Sequence, residues 1–211
     1  MIPITAESYV AVFGDSITSG FPGNTVDGQY AWVSAFFPAL RRRFVPTLQI
    51  AKRSRQLWPH VFVLASAGQS WVDYEADLPL LLETPREPSH VIWQIGINDA
   101  VDMGPPVNET EAQLRAALLA ICGGFEARWP DAQQILIGPW NYGNPHTHGP
   151  QIALTITCMR DQAAALAQPA VFVDWNAIPM VNGVNTVDDI HPNLLGTQQL
   201  SAAVLSQIAT R

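Results

Sequence analysis

The chain has 211 residues, of which 48% are apolar, and it carries a formal net charge of −7 at pH 7. This length and apolar content suffice to bury one substantial core, and the composition does not shift along the chain, so we predict a single domain over residues 1–211. The negative charge argues against nucleic acid as a partner, because a phosphate backbone binds clustered cations.

No apolar run approaches the roughly 18 residues that span a bilayer, and the opening residues, MIPITAESYV, lack the basic and long apolar regions of a secretory leader. We therefore predict neither a membrane span nor a signal peptide, and the sequence leaves compartment and oligomeric state open. Cys122 and Cys158 each lie in a stretch with helical spacing, which favours two buried free thiols over a disulfide.

One short span is basic although the chain as a whole is acidic. Lys and Arg are favoured near helix C-termini, so a solvated helix end followed by a loop explains this span, and contact with an acidic polymer or partner is the alternative. The span holds six of the eleven basic residues: Arg41, Arg42, Arg43, Lys52, Arg53 and Arg55.

Short apolar runs bounded by turn residues alternate with longer segments of helical spacing, as parallel strands and their crossover helices do. We predict five strands, at residues 9–14, 61–66, 90–96, 133–138 and 170–175. This alternation predicts the α/β class, as a three-layer α/β/α sandwich with a mostly parallel five-stranded sheet.

Three segments repeat apolar residues with the spacing of a helix. In chain order their apolar positions are Val33, Phe36, Phe37, Leu40 and Phe44; Leu114, Leu118, Ile121, Phe125 and Trp129; and Leu200, Val204, Leu205 and Ile208. Asn108, with Glu111 three residues later, has the pattern of a helix N-cap and its reciprocal partner, so we predict that the second helix begins there.

The predicted sheet also indicates where a ligand is expected, because ligands of open α/β sheets bind outside the carboxyl ends of the strands. Ser16 follows the first strand, Gly68 the second and Asn98 the third, and the segment GPWNYGNPHTH follows the fourth. These segments should lie at one edge of the sheet. Their placement predicts a ligand site but does not indicate which reaction takes place there.

Several common motifs are absent from the sequence. It has no G-x-S-x-G turn, no G-x-x-x-x-G-K-[ST] or G-x-G-x-x-G phosphate loop, and no H-E-x-x-H or paired C-x-x-C. An α/β-hydrolase, a nucleotide-binding domain and a dedicated zinc site are therefore not expected, and no metal or organic cofactor is predicted. A serine, a histidine and carboxylates remain as the candidate chemistry.

Near the C-terminus, the sequence DDIHPN places Asp188 three residues before His191. An aspartate that accepts a hydrogen bond from Nδ1 fixes the tautomer that leaves Nε2 free to take a proton from a serine, whose hydroxyl is a weak nucleophile without a base. Ser16, in the triplet GDS, is the candidate serine, although the triplet by itself is far more often a turn that caps a helix. Asp189 is the alternative residue to orient the histidine.

Four blocks in this order, FGDSIT, SAGQS, IGINDA and DDIHPN, resemble those of the GDSL-type esterases, also called SGNH hydrolases, and they spread over residues 13–193. The resemblance implies the flavodoxin-like SGNH hydrolase fold and a serine esterase that works through an acyl-enzyme. It implies Ser16 as the nucleophile, His191 as the base and Asp188 as the residue that orients the base. It also implies an oxyanion hole formed by the backbone N–H groups of Ser16 and Gly68 and the side-chain amide of Asn98.

Little sequence is inserted between the blocks to wall a long lipid tunnel, so the expected substrate is a small acyl ester, with O-acetylated carbohydrate favoured. Four aromatic residues are expected at the same edge of the sheet, where they bind a sugar ring or an acyl chain or simply pack: Phe21, Trp71, Trp140 and Tyr142. The alternatives are a lysophospholipase or acyl-thioester hydrolase, or an inactive carbohydrate-binding module on the same fold. For the esterase, kcat/KM should rise with pH as His191 becomes neutral.

Overall fold

The computed structural model describes residues 4, 8–19, 49–50, 53–57, 61–84, 86–102, 109–140, 149–181, 183–188 and 190–208, and the account below concerns these residues. They contain the strands β1 (Val10–Gly14), β2 (Gln49–Ile50), β3 (Arg53–Leu57), β4 (Val61–Ser66), β5 (His90–Gln94), β6 (Gln133–Gly138) and β7 (Val171–Asp174). They also contain the helices α1 (Ser16–Ser19), α2 (Trp71–Ala76), α3 (Leu78–Leu81), α4 (Ile97–Asp102), α5 (Glu111–Arg128), α6 (Gly149–Ala165) and α7 (Leu194–Ile208), and a 3₁₀ turn (Trp175–Ala177).

The strands form one sheet in the order β2-β3-β4-β1-β5-β6-β7. The five strands from β4 to β7 in that order are the ones predicted from apolar runs, and each neighbouring pair among them is parallel. Helices connect these strands along the chain. The predicted α/β class with a mostly parallel sheet is therefore confirmed.

Two further strands, β2 and β3, extend the sheet antiparallel beyond β4. The prediction of five strands missed them because β2 has two residues and β3 reads RSRQL, so neither has the continuous apolar run of a buried parallel strand. Arg53 and Arg55 belong to β3 and not to the predicted solvated loop. The other four basic residues of that span lie outside the described residues.

Helix α5 is capped at a different residue from the one predicted. Its N-cap is Thr110, whose Oγ1 accepts a hydrogen bond from the Gln113 backbone at 3.2 Å while Gln113 Oε1 accepts one from the Thr110 backbone at 3.0 Å. The sequence contains two overlapping capping patterns, and Glu111 of the predicted one is already the first helical residue. Asn108 and the predicted helix around residues 33–44 lie outside the described residues.

Residues that alternate along β1 pack on opposite faces of the sheet. Ala11 and Phe13 face a core shared with α2 and α5, whereas Val10 and Val12 face a core shared with α7. The layers are thus helix, sheet and helix, as predicted.

An aromatic cluster anchors the centre of the sheet. The rings of Phe13 and Trp93 stack with centroids 4.6 Å apart, and Phe125 of α5 meets Trp93 edge-on at 4.7 Å. Pairs of this kind contribute about 0.5–1.5 kcal/mol each beyond the area they bury. The cluster fixes the ends of β1 and β5 just before the residues that leave the sheet.

Two smaller predictions concern the cysteines and the absence of a membrane span. Cys122 and Cys158 are free and buried, as predicted. Burial raises the pKa of the Cys122 thiol far above its usual value, so this thiol stays protonated. No helix within the described parts of the chain is both long and apolar enough to cross a bilayer.

The order of the strands reverses at β1. The next parallel strand of the chain, β4, lies on one side of β1, and β5 lies on the other. In open α/β sheets the ligand crevice lies where the strand order reverses in this way, at the carboxyl ends of the strands. Ser16 follows β1 and Asn98 follows β5, so both leave the sheet at this position.

Candidate active site

Ser16 leaves the sheet through a tight turn. A Cβ on Gly14 would lie 2.1 Å from Thr18 Oγ1, so a larger residue does not fit there. Asp15 Oδ1 accepts a hydrogen bond from the Ile17 backbone at 2.9 Å, which closes the first turn of α1. The turn holds Ser16 at the first position of α1 with 6% of its surface exposed.

His191 reaches Ser16 from a loop near the other end of the chain. Its Nε2 lies 2.8 Å from Ser16 Oγ, and its Nδ1 lies 2.8 Å from Asp188 Oδ2. In the neutral imidazole, Nδ1 must carry the proton in order to donate to the carboxylate, so Nε2 is left to accept from the Ser16 hydroxyl. Three residues predicted to act together therefore form one continuous series of hydrogen bonds.

The loop that carries His191 is shaped by the same aspartate. Asp188 Oδ1 accepts hydrogen bonds from the backbone N–H groups of Ile190 at 2.8 Å and His191 at 2.6 Å. Thr186 and Pro192 form an antiparallel bridge that closes the loop. One carboxylate oxygen thus folds the turn while the other contacts the imidazole, which explains why a spacing of three residues suits this pair.

Hydrogen bonds keep Asp188 ionised. Partial burial raises the pKa of this carboxyl, but the hydrogen bonds from the His191 and Ile190 backbones and from the His191 ring outweigh burial, and the pKa lies below its usual value. The carboxylate is therefore available at neutral pH to stabilise a protonated imidazole. Asp189, the alternative orienting residue, lies outside the described residues.

Asn98 lies at the start of α4, which follows β5, the strand next to the one that precedes Ser16. The two strands are in register, with Gly14 opposite Gln94, so Ser16 and Asn98 leave the same edge of the sheet. One Nδ2 hydrogen of Asn98 is donated to the Gln69 carbonyl at 2.8 Å. A primary amide has two such hydrogens, so the second can be donated to a ligand.

Gly68 follows β4 in an exposed turn next to Gln69. Its φ of +80° is one that residues with a Cβ rarely adopt, while a Cβ built there would meet nothing within 4 Å. The glycine is therefore required by the backbone conformation and not by crowding. The Asn98–Gln69 hydrogen bond connects the second and third sequence blocks directly.

Asp15 is a buried acid directly before Ser16. Burial raises its pKa from 3.8 to about 7, although hydrogen bonds from the Ile17 backbone and the Gln94 amide oppose the rise. Gln94 Nε2 donates to Asp15 Oδ2 at 3.3 Å, and Gln94 Oε1 accepts from Thr18. The acid is thus held in a buried polar network beneath the turn.

We expect Asp15→Asn to remove a pH dependence of stability. Folded protein with Asp15 binds the proton more tightly than unfolded protein, so its free energy of unfolding falls as pH rises from about 4 to about 7 and levels off above. The loss amounts to about 4 kcal/mol at most. Urea unfolding of both proteins between about pH 4 and 8 measures it, and a constant difference across this range would contradict the prediction.

Of the four aromatic residues predicted at the site, two are buried in the core. Trp71 is fully buried against Trp93, and its indole N–H donates to the Ile95 carbonyl at 3.2 Å. Trp140 is 2% exposed. Their prediction as substrate-binding residues is wrong because both rings pack inward instead of lining the edge of the sheet. Phe21 and Tyr142 lie outside the described residues.

Two residues that were not predicted from the sequence support the turn of Ser16 and the Gly68 loop. Tyr74 of α2 donates its hydroxyl to the Gly14 carbonyl at 2.8 Å. Asp99 Oδ1 accepts a hydrogen bond from the Trp71 backbone at 2.8 Å, at the start of α2. The position of Asp99 directly after Asn98 in the third block could have indicated that it supports the site. The sequence contains no comparable indication for Tyr74.

Comparison with known proteins gives a family match over most of the chain. The model of the GDSL-like Lipase/Acylhydrolase family matches residues 12–199. Among curated proteins, none matches the sequence of the chain.

Solved structures resemble the whole fold. Axe2, an acetylxylan esterase from Geobacillus stearothermophilus, superposes with a TM-score of 0.69 at 18% identity, over 100% of this chain and 98% of that one. TesA gives 0.66 at 22% identity, over 94% and 97% of the two chains. LAE5, an alpha/beta hydrolase enzyme from the metagenome of Lake Arreo, Spain, gives 0.68 at 20% identity, over 97% and 96%. At these identities the likeness concerns the fold alone.

Proposed function

The chain belongs to the GDSL-like lipase/acylhydrolase family and is a carboxylic ester hydrolase, and we propose that it cleaves small acyl esters, above all O-acetylated carbohydrates, through an acyl-enzyme on Ser16. The observation that carries the proposal is the series of hydrogen bonds from Ser16 through His191 to Asp188. A serine hydroxyl with an imidazole nitrogen at 2.8 Å has the base that its attack requires.

The first half of the reaction forms the acyl-enzyme. Ser16 Oγ attacks the ester carbonyl carbon while its proton passes to His191 Nε2. Asp188 stabilises the resulting imidazolium and keeps the ring in place. The tetrahedral intermediate then expels the alcohol, which takes the proton from Nε2. In the second half, water takes the place of the serine hydroxyl, and His191 again accepts and returns a proton.

The negative charge that develops on the carbonyl oxygen needs donors that already point to it. The second Nδ2 hydrogen of Asn98 is available for this oxygen, since the first is bound to Gln69. Ser16 is the first residue of a helical turn, so its N–H has no intrahelical acceptor. We assign these two groups and the Gly68 N–H to the oxyanion hole, each worth roughly 3 kcal/mol in the transition state.

We expect Asp188→Asn to lower kcat/KM about 10-fold to 100-fold. A fully buried aspartate in this role contributes about 10⁴-fold, but the Asp188 side chain is 44% exposed, so water screens its charge and can replace part of its function. Steady-state kinetics with 4-nitrophenyl acetate measures the effect. Asp161→Asn on α6, which removes an exposed carboxylate far from His191, is the matched control and should leave kcat/KM unchanged. Unchanged kinetics in Asp188→Asn would contradict the orienting role.

The substrate class rests on the little sequence inserted between the four blocks and on a fold shared with an acetylxylan esterase. Ester series from 4-nitrophenyl acetate to the dodecanoate test it. We expect kcat/KM to fall about tenfold or more from acetyl to octanoyl, as selectivity for a small acyl group requires. Acetate release from acetylated xylan oligosaccharides should occur with the same Ser16 dependence. Rates that rise with chain length would contradict the small-acyl proposal.

A second candidate is a hydrolase of lysophospholipids or acyl-thioesters. One observation favours it, since apolar side chains about half exposed to solvent flank the loop of Asp188 and His191. These side chains are Val181, Val184, Val187, Leu194 and Leu195. They could contact a long acyl chain, and the same ester series distinguishes this candidate by a rate that increases with chain length.

A further inference from the structure

A buried glutamine contacts the turn of Ser16 from the neighbouring strand. Gln94 is the last residue of β5, is 1% exposed, and belongs to none of the four sequence blocks. Its Nε2 donates to Asp15 Oδ2 at 3.3 Å, and its Oε1 accepts a hydrogen bond from the Thr18 hydroxyl. Its backbone carbonyl also accepts the Asp15 N–H at 3.2 Å. One residue thus holds the turn on both sides of Ser16.

The turn is shaped so that these hydrogen bonds can form. Thr18 Oγ1 occupies the space that a Cβ on Gly14 would need, since the two atoms would lie 2.1 Å apart. Both carboxyl oxygens of Asp15 accept hydrogen bonds, Oδ1 from the Ile17 backbone at 2.9 Å and Oδ2 from Gln94. Buried polar networks of this kind rigidify the segments that they join. The network therefore fixes the turn relative to β5.

Gln94 also lies on the segment that carries Asn98. Asn98 follows it by four residues, near the start of α4. Between them, Gly96 has a φ of +135°, and a Cβ there would lie 3.2 Å from each of three side-chain atoms, two of them on α6. This backbone conformation and close packing fix the path from Gln94 to Asn98. One end of the segment holds the turn of Ser16, and the other end carries the Asn98 amide.

We propose that Gln94 is a positioning residue, which holds the turn of Ser16 in place relative to Asn98 so that the Ser16 N–H and the Asn98 amide point to the same substrate oxygen. The inference rests on the proposed esterase function and extends it to a buried residue outside the four blocks. Donors stabilise the developing negative charge most when they are already in place. A displacement of about 1 Å in a site of this kind lowers the rate by up to about 100-fold.

The chemistry of glutamine suits this position because its amide has a donor on one atom and an acceptor on the other. The donor meets a carboxyl oxygen of Asp15, and the acceptor meets the hydroxyl of Thr18. Methionine has a similar length and volume but neither group. Gln94→Met therefore removes both side-chain hydrogen bonds while it fills the same space.

The test compares Gln94→Met with Gln134→Met. Gln134 is the matched control, a buried glutamine near the amino end of β6, away from Ser16. Its amide also joins two partners, since Oε1 accepts the Trp93 indole N–H at 3.0 Å and Nε2 donates to the Cys122 carbonyl at 2.9 Å. Both variants should have a lower melting temperature, because each leaves buried polar groups without a partner.

Only Gln94→Met is expected to change the kinetics. Its kcat for 4-nitrophenyl acetate, per active site counted with a fluorophosphonate probe, should fall about tenfold or more while KM stays within about threefold of wild type. Gln134→Met should keep both constants within about twofold of wild type. A wild-type kcat in Gln94→Met, or equal losses of kcat in the two variants, would overturn this inference and leave the proposed function in place. A wild type that hydrolyses no ester would overturn both.

Thr18 provides a second test that leaves β5 unchanged and gives a result even if Gln94→Met does not fold. Thr18→Val keeps the shape of the side chain but loses the hydroxyl that is bound to Gln94, so kcat should fall about fivefold or more. Thr18→Ser retains the hydroxyl and should recover kcat to within about twofold of wild type. In the Gln94→Met background, Thr18→Val should lower kcat less than about twofold further, because the hydrogen bond is already lost. Equal kcat in Thr18→Val and Thr18→Ser would overturn the inference.

Discussion

Replacement of Ser16 by alanine is expected to lower kcat at least about a thousandfold and to abolish covalent labelling by a fluorophosphonate probe. The expectation follows from the 2.8 Å separation of Ser16 Oγ and His191 Nε2, which gives this hydroxyl a base and leaves the variant with no nucleophile at that point. Activity that remains should reflect only the oxyanion donors and substrate binding. Labelling visualised on a gel and steady-state kinetics on 4-nitrophenyl acetate measure the two losses.

Ser19→Ala is the matched control for this experiment. Ser19 lies in the same short helix, and its hydroxyl donates to the Ser16 carbonyl at 3.0 Å, so its removal costs a hydrogen bond without removing a reacting atom. The variant should be labelled and should keep kcat within about threefold of wild type. Ester hydrolysis by Ser16→Ala at the wild-type rate would show that another residue attacks the substrate.

The second large effect is expected from Asn98→Ala, which should lower kcat about 100-fold to 1,000-fold with little change in KM. The negative oxygen that Asn98 stabilises exists in the transition state and not in the bound ester, so the loss falls on kcat. The variant also loses the hydrogen bond to the Gln69 carbonyl, and a lower melting temperature is expected in addition.

Asn176→Ala provides the comparison for Asn98→Ala. Asn176 is an exposed asparagine in the turn after β7, and its truncation should leave kcat and KM unchanged. A raised KM at unchanged kcat in Asn98→Ala would show that Asn98 binds the ground state of the substrate and would contradict its oxyanion role.

The parallel part of the sheet could be predicted from the sequence because buried parallel strands consist of continuous runs of apolar residues. Strand β6 reads QQILIG and is buried throughout, and the other four parallel strands have similar runs. The antiparallel strands have no such pattern, since four of the five residues of β3, RSRQL, are polar. Its pairing with β4 depends on backbone hydrogen bonds, which any residue except proline can make.

Some contacts of the candidate site could likewise be predicted from the sequence, and others could not. The pairing of Asp188 with His191 could be predicted because both residues lie in one short loop. The hydrogen bond from the Tyr74 hydroxyl to the Gly14 carbonyl could not, since the two residues are 60 positions apart in the chain and nothing in the sequence around Tyr74 points to it. Trp71 was misassigned because sequence position gives the end of the sheet but not the direction in which a ring packs.

The hydroxyl and the imidazole that meet at 2.8 Å come from the turn after β1 and from the loop after β7. A chain emerging from the ribosome therefore carries its attacking group long before the group that activates it. Catalytic competence appears only when the sheet between them is assembled and α7 has docked. Recovery of ester turnover after dilution from denaturant thus reports when the two segments have come together, which makes the reaction itself a sensitive reporter of assembly.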